Sequence, residues 1–133
     1  MSVFLLDTSV VSILFKKHHP LNPTCESLLR GHQLTLSFMS LAELSVWPKL
    51  NRWGPARESF LKQHIQLYTT LFPDERTCEI WSSIVVNCRR LGRPIGAADA
   101  WIAAVATQWK IPLVTTDYKD YNAVHGMQVI PIE

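Results

Sequence analysis

The chain has 133 residues, 47% of them apolar, enough for one domain with a real core and incompatible with intrinsic disorder. A net charge of +2 is too small by itself to announce a nucleic-acid binder, no apolar run approaches the ~20 residues that span a bilayer, and no leader pattern opens the sequence, so residues 1–133 read as a single, complete cytoplasmic domain without membrane contact. Three cysteines, Cys25, Cys78 and Cys88, are odd in number and lack CxxC spacing, which argues against a disulfide framework or a thiolate zinc site and predicts free, mostly buried thiols.

The apolar run Val3–Leu6 does not alternate and stops abruptly at Asp7-Thr8-Ser9. Such a run reads as a strand covered on both faces, in the centre of a parallel sheet, with Asp7 at its carboxyl end where ligands of open α/β sheets bind. Residues 9–16 then show helical spacing of Val10, Ile13 and Leu14, with Thr8 or Ser9 as N-cap. Asn22-Pro23 opens a second short helix that Gly31 closes. Residues 34–38 alternate like a strand, and Ser40 to Glu43 opens a helix limited by Pro48 and the 51–55 cluster. A helix over 56–65 and a β-leaning piece over 66–71 follow.

Asp74 caps the longest helix, in which Trp81, Ile84, Val85 and Cys88 recur at helical spacing up to Leu91-Gly92, with Arg89, Arg90 and Arg93 crowding its end. Ala97–Trp109 is an alanine-rich, buried helix. Residues 111–115 form another central strand, which again stops at an acid, Asp117. A turn or short helix over 118–123 and a strand over 127–132 complete the chain. Alternating strands and helices predict a three-layer α/β/α domain on a central, mostly parallel sheet.

Four acids stand in apolar company: Asp7 and Asp117 at strand ends, Glu43 between Ala42 and Leu44, and Asp99 inside the alanine helix. Each has a bland reading. Asp7 and Asp117 fit N-caps, Glu43 fits a Ser-x-x-Glu capping box from Ser40, and Asp99 favours a helix dipole. Four separate coincidences are less economical than one shared site. Carboxylates held close together repel unless a cation lies between them, and hard oxygen donors without His or Cys suit Mg²⁺ or Mn²⁺. Such an ion activates water and stabilises charge on a phosphate, the chemistry of phosphodiester hydrolysis. If the four share a pocket, seven acids remain against thirteen Lys and Arg, so the rest of the surface carries about +6.

Leu5-Leu6-Asp7-Thr8-Ser9, Ala42-Glu43-Leu44, the stretch from Gly92-Arg93-Pro94 through Asp99-Ala100-Trp101 to Ala104, and Leu113-Val114-Thr115-Thr116-Asp117 resemble, in order and spacing, the PIN domain, specifically its VapC type of toxin ribonuclease. The resemblance implies a PIN-like α/β/α fold and a Mg²⁺- or Mn²⁺-dependent endoribonuclease acting on RNA. It implies a VapB-like antitoxin as inhibitor, a homodimer, and a larger toxin–antitoxin assembly that contacts DNA through the antitoxin. By position Asp7, Glu43, Asp99 and Asp117 match the family's catalytic acids. Asp7, Asp99 and Asp117 would be metal ligands, Glu43 would hold the metal or orient water, and Thr8, Ser9 and Thr115 would support them.

This chain departs from the family in Ser45-Val46-Trp47-Pro48, where a glycine is common, and in Thr116 before the last acid. Arg89, Arg90 and Arg93 are candidate RNA contacts, with a solvated helix end as the plain alternative. Trp81, Trp101 and Trp109 are expected in the core. Trp47 and Trp53, beside Pro48 and Gly54-Pro55, are candidates for an antitoxin or second-subunit surface if not packed inside. The five histidines form no ligand spacing. The competing reading is a non-catalytic PIN-fold module whose acids cap helices and whose basic surface binds RNA or protein.

Overall fold

Strands and helices alternate through residues 2–133, the part of the chain that the computed structural model describes. The order is β1 (Val3–Leu6), α1 (Thr8–Phe15), α2 (Asn22–Leu29), β2 (Gln33–Ser37), α3 (Phe38–Leu50), α4 (Pro55–Ile65), β3 (Thr69–Leu71), α5 (Glu75–Arg90), α6 (Ala97–Trp109), β4 (Leu113–Thr115) and β5 (Val129–Pro131). A 3₁₀ turn, Tyr118–Asp120, lies between β4 and β5.

The strands form one sheet in the order β3-β2-β1-β4-β5, with every pairing parallel. β1 is central, and its apolar run is explained by its two covered faces. Phe4 and Leu6 pack with Val10, Val11, Leu36 and Leu44 on one side. Leu5 packs with Ile84, Ala100, Ile102 and Ala103 on the other. The alanines of α6 let that helix lie close to the sheet and to α5.

Several boundaries differ from the sequence reading, each for a local reason. Asp7, not Thr8 or Ser9, is the N-cap of α1: its side chain accepts the Thr8 N–H at 2.8 Å. Ser37 caps α3 by accepting the Ser40 N–H at 3.1 Å, so the helix starts before Ser40 and no Ser40–Glu43 capping box forms. Pro48 sits inside α3, two residues from its end, where one missing hydrogen bond is tolerated. Only Thr69–Leu71 of the β-leaning piece joins the sheet, as a short edge strand. Pro131 is accommodated because β5 is the other edge. Asp74 caps α5 as expected, and Thr77 answers it to complete a reciprocal capping box.

Trp109 is 53% exposed, contrary to its expected core role, because it ends α6 just before the left-handed residue Lys110 and has packed chain on one side only. Cys25 and Cys88 are buried thiols and Cys78 is exposed, all free. Among the described residues no helix is long and apolar enough to cross a membrane.

Leu5, fully buried in the middle of the sheet, is the sharpest test of this core. Leu5→Ala should lower unfolding free energy by about 2–5 kcal/mol, whereas Leu50→Ala, at a side chain 75% exposed, should stay within about 0.5 kcal/mol. Urea denaturation of the two variants measures both values.

Candidate functional site

In the order β3-β2-β1-β4-β5 the chain reverses its lateral direction at β1, which opens a crevice beyond the carboxyl end of that strand. Asp7 is delivered there. Its backbone N–H bonds the Val114 carbonyl at 2.9 Å, so the residue is part of the sheet and not of a loose loop. Its side chain is 5% exposed and fully engaged. Oδ1 accepts from the Thr8 N–H, while Oδ2 accepts from Thr115 Oγ1 at 2.6 Å and lies 3.2 Å from the Tyr121 hydroxyl. The capping role and a site role thus use different oxygens of one carboxylate.

Asp99 lies in the first turn of α6 and faces the same point: its Oδ1 is 3.2 Å from the Tyr121 hydroxyl. Glu43, in α3, is joined to α1 by the Thr8 hydroxyl, 2.8 Å from Glu43 Oε1 and 2.9 Å from Ser40 Oγ. Asp117 follows β4; its backbone N–H donates to Thr115 Oγ1 at 2.9 Å and its side chain makes no cap. The Ser9 hydroxyl is buried and has no hydrogen-bond partner among the described residues.

The electrostatics show how closely these acids sense one another. Burial raises the Asp7 carboxyl above its usual range, against the pull of Thr115, Thr8 and Tyr121, and the charge of Asp117 pushes it further the same way. Burial pushes Asp99 up to about 6, and Asp7, Asp120 and Glu43 add their repulsion. Tyr121, buried between two carboxylates, is raised for the same reasons. A phenol has one proton to donate, so two flanking carboxylates cannot both be bonded to it while both are ionised.

The sequence reading missed two members. Tyr121, 1% exposed, is the pivot between Asp7 and Asp99, and Asp120 lines the crevice beside Asp99. Their signal was present in Asp117-Tyr118-Lys119-Asp120-Tyr121, where acids and tyrosines recur three residues apart directly after a central strand.

The crevice beside Asp99 encloses about 160 Å³ between the Arg93–Gly96 segment and the Lys119–Ala123 segment. Arg93 lines it and hydrogen-bonds Asn122. Arg89 and Arg90 are exposed on the last turn of α5 and form no ion pair among the described residues. Larger hollows lie elsewhere, one of about 500 Å³ under α6 and β4, away from every acid of the set. A groove open to a polymer strand has no need of depth.

Chemically the donors are carboxylate oxygens with hydroxyls behind them, a set suited to a hard divalent ion. Among the described residues no three His, Cys, Asp or Glu side chains converge tightly enough to cage an ion by themselves. Two carboxylates with water completing the shell is the arrangement Mg²⁺ commonly accepts.

A family model for the PIN domain matches residues 4–125. Ribonuclease VapC1 of Haemophilus influenzae strain R2866 is 27% identical over 131 residues, 95% of each chain. Ribonuclease VapC4 of Mycobacterium tuberculosis strain H37Rv is 32% identical over 105 residues, 77% of this chain and 79% of that one. Among solved structures, VapBC2 from Rickettsia felis bound to a DNA fragment from their promoter superposes with a TM-score of 0.86 at 18% identity, covering 98% of this chain and 99% of that one, and so attests the fold. FitAcB from Neisseria gonorrhoeae superposes with a TM-score of 0.84 at 28% identity over 96% of each chain. With a match that covers all four acids from Asp7 to Asp117, the chain belongs to the PIN-domain family, as a protein of its VapC ribonuclease type.

Proposed function

We propose that this chain is a divalent-metal-dependent endoribonuclease that hydrolyses RNA phosphodiester bonds and is held inactive by a VapB-like antitoxin. The reading is carried by one observation: a buried tyrosine hydroxyl shared by Asp7 and Asp99, with Asp99 raised to about 6, at the switch point of a PIN-type sheet. Acids kept for stability are favoured by staying ionised at little cost, whereas burial and mutual repulsion make this pair costly to the fold. Such an arrangement persists where function uses it.

Asp7 and Asp99 would hold Mg²⁺ or Mn²⁺, and Asp117 would complete the set directly or through water. When bound, the ion supplies the positive charge that acidifies a water and offsets the charge growing on the scissile phosphate. The chain's own residues prepare for this. Thr115 and the Thr8 N–H lock the Asp7 carboxylate in one orientation. The Tyr121 hydroxyl keeps Asp7 and Asp99 facing one point. Thr8 aims Glu43 Oε1, which places that carboxylate to orient the attacking water. Arg93 and Lys119 line the crevice with Asp99 and would contact the phosphates beside the scissile bond.

A homodimer working in the cytoplasm, with the antitoxin contacting DNA, is the assembly that membership of the family implies; the Rickettsia felis neighbour is described as VapBC2 bound to a DNA fragment from their promoter, which supports the DNA contact. The competing non-catalytic module draws support from the cap that Asp7 Oδ1 makes on α1.

Asp99→Asn separates the two. Cleavage of single-stranded RNA should fall at least about a hundredfold, while the melting temperature of the ion-free protein at neutral pH stays level or rises, because a repelling charge has been removed. An unchanged product pattern on sequencing the RNA ends would end the catalytic reading. Induced expression should arrest growth, and co-expression of the cognate antitoxin should relieve it.

Asp99 also sets a pH signature. Its folded value of about 6 exceeds the unfolded value of ~3.9, so the ion-free protein loses stability as pH rises between the two and is level above. Added Mg²⁺ should therefore stabilise the protein only as pH climbs through about 6. The Tyr121 hydrogen bonds pull both carboxyls down, so Tyr121→Phe should move the midpoint of Mg²⁺-dependent cleavage to higher pH while the folded core persists. A midpoint unmoved in the pH–rate profile would remove Tyr121 from the site.

A further inference from the structure

A second cleft, of about 490 Å³, lies between the ends of α1 and α3 and the start of α4. It is lined by Phe15, Lys16, Trp47, Asn51, Trp53 and Arg57, three aromatic rings and two cations with no acid. The Arg57 guanidinium sits 4.1 Å above the Trp53 ring and the Lys16 ammonium 5.8 Å from the Trp47 ring. Phe15 stacks on Trp53 with centroids 6.1 Å apart and planes 18° from parallel, while Trp47 and Trp53 open toward each other at 6.5 Å and 59°. Among the described residues neither cation is paired with a carboxylate.

Packing of a helix corner accounts for the rings, and the two cations laid against them add positive charge to the cleft. A cation seated on an indole face retains N–H donors for a phosphate. Aromatic rings beside phosphate donors are the combination that holds unpaired nucleotides without sequence preference. A polyanion with flat apolar bases matches both features of the lining; an acidic peptide would satisfy the charge alone.

The cleft is also connected to the acidic crevice. α1 and α3 both begin there, joined through Thr8 and Glu43. Phe15 lies seven residues after Thr8 and Trp47 four after Glu43, spacings that keep each pair on one helix face. The two ends are thus separated by ~6–10 Å along the helix axes.

We propose that this cleft binds an unpaired nucleotide of the substrate strand, its base against Trp53 and Trp47 and its phosphate on Arg57 and Lys16, anchoring the RNA beside the acidic crevice. The proposal rests on the ribonuclease reading for its substrate, and the decisive measurement needs no cleavage.

Tryptophan fluorescence of the full chain, titrated without divalent ions, should be quenched by a short single-stranded oligouridylate and left unquenched by a base-free polyphosphate of similar charge. Trp53→Leu should weaken oligonucleotide binding about ten- to a hundredfold and Trp53→Phe should restore most of it. Arg57→Gln, at an exposed helix position that leaves folding intact, should weaken binding several-fold and flatten its salt dependence. In the cleavage assay the same variants should raise KM for long RNA with kcat unchanged and leave a dinucleotide substrate unaffected. Equal binding by both Trp53→Leu and Arg57→Gln, equal quenching by polyphosphate, or quenching by an acidic apolar peptide where the oligonucleotide gives none would each overturn the proposal. Absence of cleavage by the parent protein would sink the ribonuclease reading while binding still judged the cleft.

Discussion

Negative charge forced together at the buried end of a strand is the constraint around which this molecule is built. Asp7 is almost wholly out of water and shares a phenol proton with Asp99, while Asp117, Asp120 and Glu43 press on the pair from further out. Left to relax, such groups would move apart or take up protons. They cannot move apart, because each is fixed by a different rigid element: Asp7 by hydrogen-bonded β1, Asp99 by α6 and Glu43 by α3. The fold therefore stores repulsion that a bound cation would release.

That storage explains features which otherwise look unrelated. β1, like its neighbour β4, carries side chains with no exposure, so the costly aspartate is delivered by one of the two most strongly buried strands. The alanines of α6 bring its first turn close enough for Asp99 to reach the Tyr121 hydroxyl. Thr115, itself buried, gives its hydroxyl to Asp7 while accepting the Asp117 N–H, so a single side chain ties the ends of two neighbouring strands together. Packing on both faces of the sheet offsets what the acidic end costs.

Much of this was legible in the residues because two signals coincide in them. The run Val3–Leu6 and the pair Leu113-Val114 are apolar without alternation and lead to Asp7 directly and to Asp117 through two threonines, so strand type, burial and site position follow from one pattern. The alanine helix with a lone Asp99 is equally plain. Glu43 is ambiguous in sequence because Ser40 offers it a cap; in the fold Ser37 takes the capping role and Glu43 faces Thr8 from another helix. Tyr121 was invisible for a deeper reason. Its meaning lies in two contacts, one to a residue 114 positions away and one to a residue 22 positions away, and no local pattern encodes a pair of long-range distances. Trp109 failed as a core residue because helical periodicity gives a face but not where the opposing surface ends.

A nucleic-acid strand meets a difficulty at this site that its chemistry alone does not resolve. The groups that would hold a catalytic ion are anionic, and before the ion is bound they repel the phosphates they are to act on. Exposed charges are screened beyond ~8 Å at physiological salt, so the diffuse positive surface elsewhere cannot compensate for repulsion felt at contact. Affinity must come from cations placed within that distance yet outside the acid cluster. Arg93 and Lys119 stand at one side of the crevice; further off, Lys16 follows the end of α1 and Arg57 lies in the first turn of α4. In such an arrangement, binding energy from parts of the strand remote from the scissile bond is available to offset the cost of bringing the reacting phosphate against carboxylates. The enzyme so described would act on polymers well and on isolated dinucleotides poorly, because the acid cluster that would perform the chemistry has little affinity of its own to offer.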